Sequence, residues 1–201
     1  MASSAAPYGL KPLNLIGGQP YAGSTRQIKI ASGYGTNIFN GTIVAIVAGG
    51  TIEIVTTNGN NTTPFPAGTI GVFVGCTYTD PNSKQKLFSQ YWPTGTVADD
   101  AMAYVVDDPD CLFQVQADGA VTQADLGQNT HLAAVQSTST GSTTTGNSTS
   151  AVTASTNTTS GFAFRIVDFV DAPGSAIGDA ATDLIVKFNP DAHSYTNKTG
   201  I

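Results

Sequence analysis

The sequence predicts a mainly β chain: an antiparallel sandwich or barrel, jelly-roll-like, preceded by an extended N-terminal arm. Three observations carry this. Apolar residues alternate with period two along short runs, at 70–76, 111–117 and 162–170. The runs are separated by turn formers, among them Asn58 with Gly59 and the group Asp107, Asp108, Pro109, Asp110. No stretch carries a helical period long enough for a structural helix, so nothing would cover a parallel sheet.

Residues 1–25 read as the arm. Pro7, Gly9, Pro12, Gly17, Gly18, Pro20 and Gly23 interleave with Tyr8, Leu10, Leu13, Leu15, Ile16 and Tyr21. Prolines remove donors and glycines add unfolded-state entropy, which denies this segment a long helix. It is nevertheless too apolar for an idle tail. It lies against its own barrel or a neighbouring subunit, with a disordered leader as the third reading.

Residues 26–201 read as one β domain. Ile28 and Ile30 alternate with Gln27 and Lys29; 42–48 is an apolar β-branched run ended by Gly49 and Gly50; Ile52 and Ile54 alternate with Thr51 and Glu53. Ile70, Val72, Val74 and Cys76 then share one face, with Gly71, Phe73 and Gly75 on the other, as in a strand covered on both sides or closely approached at its glycines. Runs at 87–92 and 101–106 continue the series. At 111–117 Gln114 and Gln116 make one face polar, which predicts a half-exposed strand. Residues 122–126 and 172–181 could each make a single helical turn. Phe164, Ile166, Leu184, Val186 and Phe188 close the pattern, so the last forty residues complete the domain. About eight to ten short strands result, with a Greek-key or jelly-roll order as the base-rate choice.

Residues 137–160 are almost entirely Ser, Thr, Gly and Asn, with Val152 alone suited to a core. Threonine favours strands, which predicts an exposed ribbon or projecting excursion, disorder being the alternative. An uncharged edge such as 149–153 invites pairing across a symmetry axis, giving a homo-oligomer with a dimer ahead of a trimer.

Composition excludes several functions. Charged residues are 11% of the 201-residue chain, net charge is −6, and eight scattered Lys and Arg cannot collect a nucleic-acid backbone. No apolar run approaches a membrane span, and residues 1–7 lack the basic start and apolar middle of a secretory signal. The sequons at Asn40, Asn61, Asn147, Asn157 and Asn197 then read as chance in an Asn/Thr-rich chain. Cys76 and Cys111 read as two buried thiols, with a bridge left open.

Candidate chemical sites are weak. Asp99, Asp100, Asp107, Asp108 and Asp110 lack the ligand alternation and closing glutamate of a calcium loop, and read as turn residues. His131 and His193 have no partners at zinc-ligand spacing. No nucleophile elbow or phosphate loop is present, and Asp168 with Asp171 gives only weak support for a glycosidase pair. Trp92 with Tyr91 and Tyr104 could form a carbohydrate platform; the alternative is that Trp92 plugs the barrel end. The expectation is a non-enzymatic module without cofactor or metal.

Tyr8-Gly9-Leu10-Lys11-Pro12-Leu13, Gly18-Gln19-Pro20-Tyr21-Ala22-Gly23, and Asp107-Asp108-Pro109-Asp110 running into Phe113-Gln114-Val115-Gln116-Ala117-Asp118 resemble small virion structural proteins of tailed bacteriophages. Phe164-Arg165-Ile166-Val167 and Leu184-Ile185-Val186-Lys187-Phe188-Asn189 are similar to the end of the same proteins. The resemblance spans nearly the whole chain except 137–160 and carries no catalytic signature. It implies a head decoration, or cement, protein on the outer surface of the capsid, made in the host cytoplasm and bound to the major capsid protein. Tyr8, Leu10, Leu13 and Tyr21 are the expected capsid-contact residues of the arm. A tail, tail-fibre or connector component is the rival.

Overall fold

The computed structural model describes residues 4–170, 172 and 175–200. The period-two runs become strands β1 (Lys11–Leu15), β2 (Arg26–Lys29), β3 (Thr42–Ile46), β4 (Ile52–Ile54), β5 (Thr69–Thr79), β6 (Lys86–Ser89), β7 (Met102–Val106), β8 (Cys111–Gln116), β9 (Asn129–Thr130), β10 (Phe164–Phe169) and β11 (Asp183–Phe188). The chain is mainly β, in two antiparallel sheets. One has the order β1-β8-β11-β10-β9; the other runs β2-β7-β5-β3-β4, with β6 also paired to β5. A parallel bridge, Ile30 to Ile52, touches the end of β2 to β4 across the second sheet.

The sheets share a core because their alternating faces meet. Phe113, Val115, Phe164, Ile166, Leu184, Val186 and Phe188 from the first sheet join Ile43, Ala45, Val72 and Val106 from the second in one buried cluster. The opposite face of the second sheet is buried as well. Val44, Ile54, Ile70, Phe73, Cys76, Ala103 and Val105 pack with Ile30, Ile38, Ala101 and Trp92. Covering on both faces is why Thr42–Ile46 does not read as an alternation, whereas Ala48, past the end of the strand, is exposed. It also accounts for the glycines of β5. Gly71 has φ 144°, and a Cβ there would run into the Val106 carbonyl oxygen of β7, while one at Gly75 would come 3.1 Å from that of Ser89.

Among the described residues helix is limited to 3-10 turns, at Gln123–Asp125, where one was expected, and at Pro190–Ala192, where none was. The turn expected at 172–181 does not form a helix among its described residues; Ala176 and Asp179 close a turn there instead, the Ala176 N–H donating to Asp179 Oδ2 at 3.1 Å.

The N-terminal segment lies against its own domain, the first of the two placements open to it. Its residues 11–15 are the edge strand β1, paired with β8 through Lys11–Gln114 and Pro12–Phe113. Pro12 sits where a missing donor costs little, at a sheet edge. Upstream, the Leu10 N–H donates to the Gly41 carbonyl at 3.0 Å and the Gly9 N–H to that of Ser150 at 3.2 Å. Beyond β1 the chain folds into a hairpin, with Asn14 bridged to Pro20. This cover overturns the half-exposed reading of 111–117. Gln116 is buried, accepting from the Ala6 N–H at 2.8 Å and donating to the Ser4 carbonyl at 3.2 Å.

The Ser/Thr-rich stretch does not project. Asn147 bridges Asn40, Val152 bridges both Ala117 and Leu132, and Asn157 bridges Asn129. Val152 is in the shared core, and Ser148, Ser150 and Thr153 are buried. The edge offered by 149–153 is therefore occupied within the chain: Val152 N–H donates to the Gln116 carbonyl at 3.0 Å and Thr153 N–H to that of His131 at 2.8 Å. Short hydroxyl side chains allow this, since they satisfy one another under cover, as Ser148 does with Ser150 at 3.0 Å.

Candidate interaction surface

The residues with chemical potential are engaged in holding loops. Asp100 accepts from the Thr79 N–H at 3.0 Å and hydroxyl at 2.8 Å, with Lys86 Nζ 3.3 Å away. These bonds, the Thr79 backbone first, hold its carboxyl at about 2. Asp107 receives Arg26 Nε at 2.5 Å and the Tyr195 hydroxyl at 2.9 Å. Asp108 caps the Asp110 N–H at 2.8 Å, and Asp110 pairs with Lys187 at 3.2 Å. Asp168 accepts from its neighbour Phe169 at 2.8 Å; Asp171 lies outside the described residues. Among the described residues no group of three His, Cys, Asp or Glu converges to hold a metal.

His131 and His193 are each absorbed into packing. His131 stands edge-on to Phe162, and His193 is buried edge-on to Phe188 and Tyr195. Burial holds the His193 imidazole below its ordinary pKa, so it is neutral at pH 7. Cys76 and Cys111 are free, buried thiols, each pushed up to about 12 by desolvation. Trp92 is fully buried, its ring edge-on to Tyr78 and its Nε1 donating to the Tyr34 carbonyl at 3.3 Å. Tyr91 stacks on Phe39. A carbohydrate platform loses its indole. No helix among the described residues is long and apolar enough to cross a membrane.

What the surface does offer is apolar side chains near sheet edges. The four arm residues separate here. Leu10 is fully buried in the shared core, and its atoms are unavailable to a partner. Tyr8 is half-buried, and its hydroxyl donates to Asp183 Oδ1 at 2.9 Å. Tyr21 is half-buried against the core and lines a cleft of about 220 Å³ with Leu15, Pro20, Ala22, Ser24 and Asp108. Leu13 is 38% exposed, and Ile16, at the hairpin tip, is 51% exposed. Ile16 also forms the lip of a cleft of about 330 Å³ with Arg165, Lys187 and Asn189. The hairpin is thus tied down at its base and apolar at its tip.

Two features escaped sequence reasoning. Ile16 was indistinguishable from its apolar neighbours, because only the tertiary structure separates tip from base. The second is β6, where Leu87 and Phe88 are adjacent and so face opposite sides of a strand; Phe88 is 77% exposed. Adjacent large apolar residues in a four-residue strand were the available signal.

No protein-family model, curated protein or solved structure matches this chain.

Proposed function

We propose that the protein is a non-enzymatic structural component of a bacteriophage virion that decorates the outer surface of the head and stabilises it by bridging major capsid protein subunits. The observation that carries this reading is the N-terminal hairpin. Its sequence is one of the segments that resemble head decoration proteins, and it holds Leu13 and Ile16 exposed above a base fastened by Leu10 and Tyr8. A contact element fixed before docking loses less conformational freedom on binding than a loose arm would. A low-charge surface suits sites repeated many times over a shell, since like-charge crowding is avoided. For the fold, the core shared between the sheets supports a jelly-roll-like sandwich, and the Ile30–Ile52 bridge supports barrel-like curvature in the second sheet.

The test is imaging of assembled particles together with binding to heads that lack the protein. Density over the whole shell, and binding weakened about tenfold or more by Leu13→Asp with Ile16→Asp at unchanged Tm, are the expected results. Density at a single vertex or at the distal tail would make it a connector or tail component instead.

A further inference from the structure

The second sheet leaves the outer edge of β6 open, and its chemistry selects a partner. β6 pairs with β5 in the register Thr77–Phe88, Tyr78–Leu87, Thr79–Lys86. At the hairpin end the Asp80 N–H donates to the Gln85 carbonyl at 2.9 Å. Antiparallel ladders alternate bonded and non-bonded pairs, so the bonded positions on β6 are Leu87 and Ser89. The N–H and C=O groups of Lys86 and Phe88 therefore point to the outer side, where no strand lies among the described elements.

That edge lacks the usual protection. Exposed edges are commonly blunted by a free charge, a proline or a bulge. The charge on β6 is Lys86, and it is held by Asp100 of the same chain at 3.3 Å. Beside it Phe88 is 77% exposed on one face and Leu87 is 37% exposed on the other.

We infer that the outer edge of β6 binds a second copy of this chain, the two β6 strands pairing antiparallel about a two-fold axis at Leu87. The strand is complementary to itself in this register. Lys86 lies opposite the partner's Phe88, a cation beside an aromatic ring; Leu87 lies opposite the partner's Leu87; Lys84 lies opposite the partner's Gln90. No like charges meet. A two-fold contact uses the same patch twice, so both unpaired edges are satisfied together.

The contact deepens the decoration reading and rests on it only for where copies meet on a shell. The test uses the free full-length protein, so its failure leaves the shell reading intact. Sedimentation across a concentration series is expected to show a monomer–dimer equilibrium, with Phe88→Lys weakening dimerisation about tenfold or more. The second variant is Leu87→Cys. In the proposed register residue 87 occupies a non-bonded pair, with Cα atoms about 4.5 Å apart, within reach of a disulfide. Oxidation should then link Leu87→Cys chains into dimers, the native thiols being buried. This variant also decides the matter should Phe88→Lys not fold. A wild-type protein that is monomeric or trimeric, a dimer indifferent to Phe88→Lys, or an unlinked Leu87→Cys would each overturn the inference. So would a free monomer whose Phe88→Lys variant alone loses the shell, since the edge would then take a strand of the shell protein.

Discussion

The Tyr8 hydroxyl donates to Asp183 Oδ1 at 2.9 Å, joining the N-terminal segment to the first residue of the last strand, 175 positions along the chain. Burial first, and this hydrogen bond next, push the phenol well above its usual pKa. The bond and the burial of Leu10 make the N-terminal segment a working part of the fold, so its loss is felt in stability before any question of binding arises.

Leu10→Ala is expected to destabilise the protein by about 2–5 kcal/mol, since Leu10 is fully buried in the shared core. Tyr8→Phe should cost roughly 1–2 kcal/mol. Removal of residues 1–24 should lower Tm sharply, because it uncovers β8 and leaves Gln116 without its partners at Ser4 and Ala6. Denaturant unfolding of the three variants measures this; a truncated protein as stable as the parent would refute it.

Gln136 is the tie between the loop region and the second sheet. Its amide is buried, accepting from the Ile43 N–H at 2.8 Å and donating to the Ile43 and Val55 carbonyls at 2.9 and 3.0 Å. Gln136→Leu removes the partner of the Ile43 N–H and of the Val55 carbonyl, while the Ile43 carbonyl keeps the Val55 N–H at 3.0 Å, at about 1–3 kcal/mol for each buried group left unmade. Thermal unfolding should therefore show a larger loss for Gln136→Leu than for Gln128→Leu, which removes only a solvent-exposed hydrogen bond to the Ala124 carbonyl. Deleting 137–160 should unfold the domain for the same reason, since Val152 leaves the core with it.

Gly71→Ala is expected to be among the most damaging single substitutions. The added methyl would overlap the Val106 carbonyl on the adjacent strand, and the φ of 144° is strained for any side chain. About 3 kcal/mol or more is expected. Gly33→Ala, with open space around its Cβ, separates the two effects because only its φ of 76° is unfavourable. Equal melting temperatures for the two variants would mean that strand approach does not matter at Gly71.

Stability should fall toward acid in two stretches. His193 has its folded pKa depressed below 6.5 by burial, so the unfolded chain takes up a proton first and stability is lost as pH falls below about 6.5 toward the folded value. Asp100 is depressed from 3.8 to about 2, and its contribution is present above about 4 and lost as pH falls through about 2. Urea midpoints measured from pH 8 to pH 2 should lose the upper stretch in His193→Phe and the lower one in Asp100→Asn. A profile unchanged by either variant would contradict the assignment.

Cys76 and Cys111, buried and held at about 12, should not react with a thiol reagent at pH 8 in the native protein. Both should react at once in denaturant. Rapid labelling of either under native conditions would show that its cover opens.

Much of this protein was legible in the residues alone, because a strand with a buried face must alternate and a doubly covered one must not. The runs around Ile28, Ile43, Ile70, Phe113, Phe164 and Val186 all became strands, although the single face expected for Ile70, Val72, Val74 and Cys76 is split, Ile70 and Cys76 entering one core and Val72 and Val74 the other, across irregularities in the register of β5. The turn at Asn58 and Gly59 and the close approach at Gly71 follow from chemistry local to those positions. What the tertiary structure decided is which polar and apolar groups found partners far along the chain. Gln116 reads as solvent-facing until Ser4 and Ala6 cover it; the run 137–160 reads as surface until Asn40, Ala117, Asn129 and Leu132 bridge it. Leu10 and Ile16 are equivalent as sequence, yet one enters the core and the other the tip of a hairpin. The same holds for edges. Thr149 to Thr153 looked open and is occupied, whereas Lys86 to Ser89 looked ordinary and is open. Periodicity records how a residue sits relative to its own strand; which strand lies beside it depends on contacts between distant segments, and those are set only when the whole chain packs.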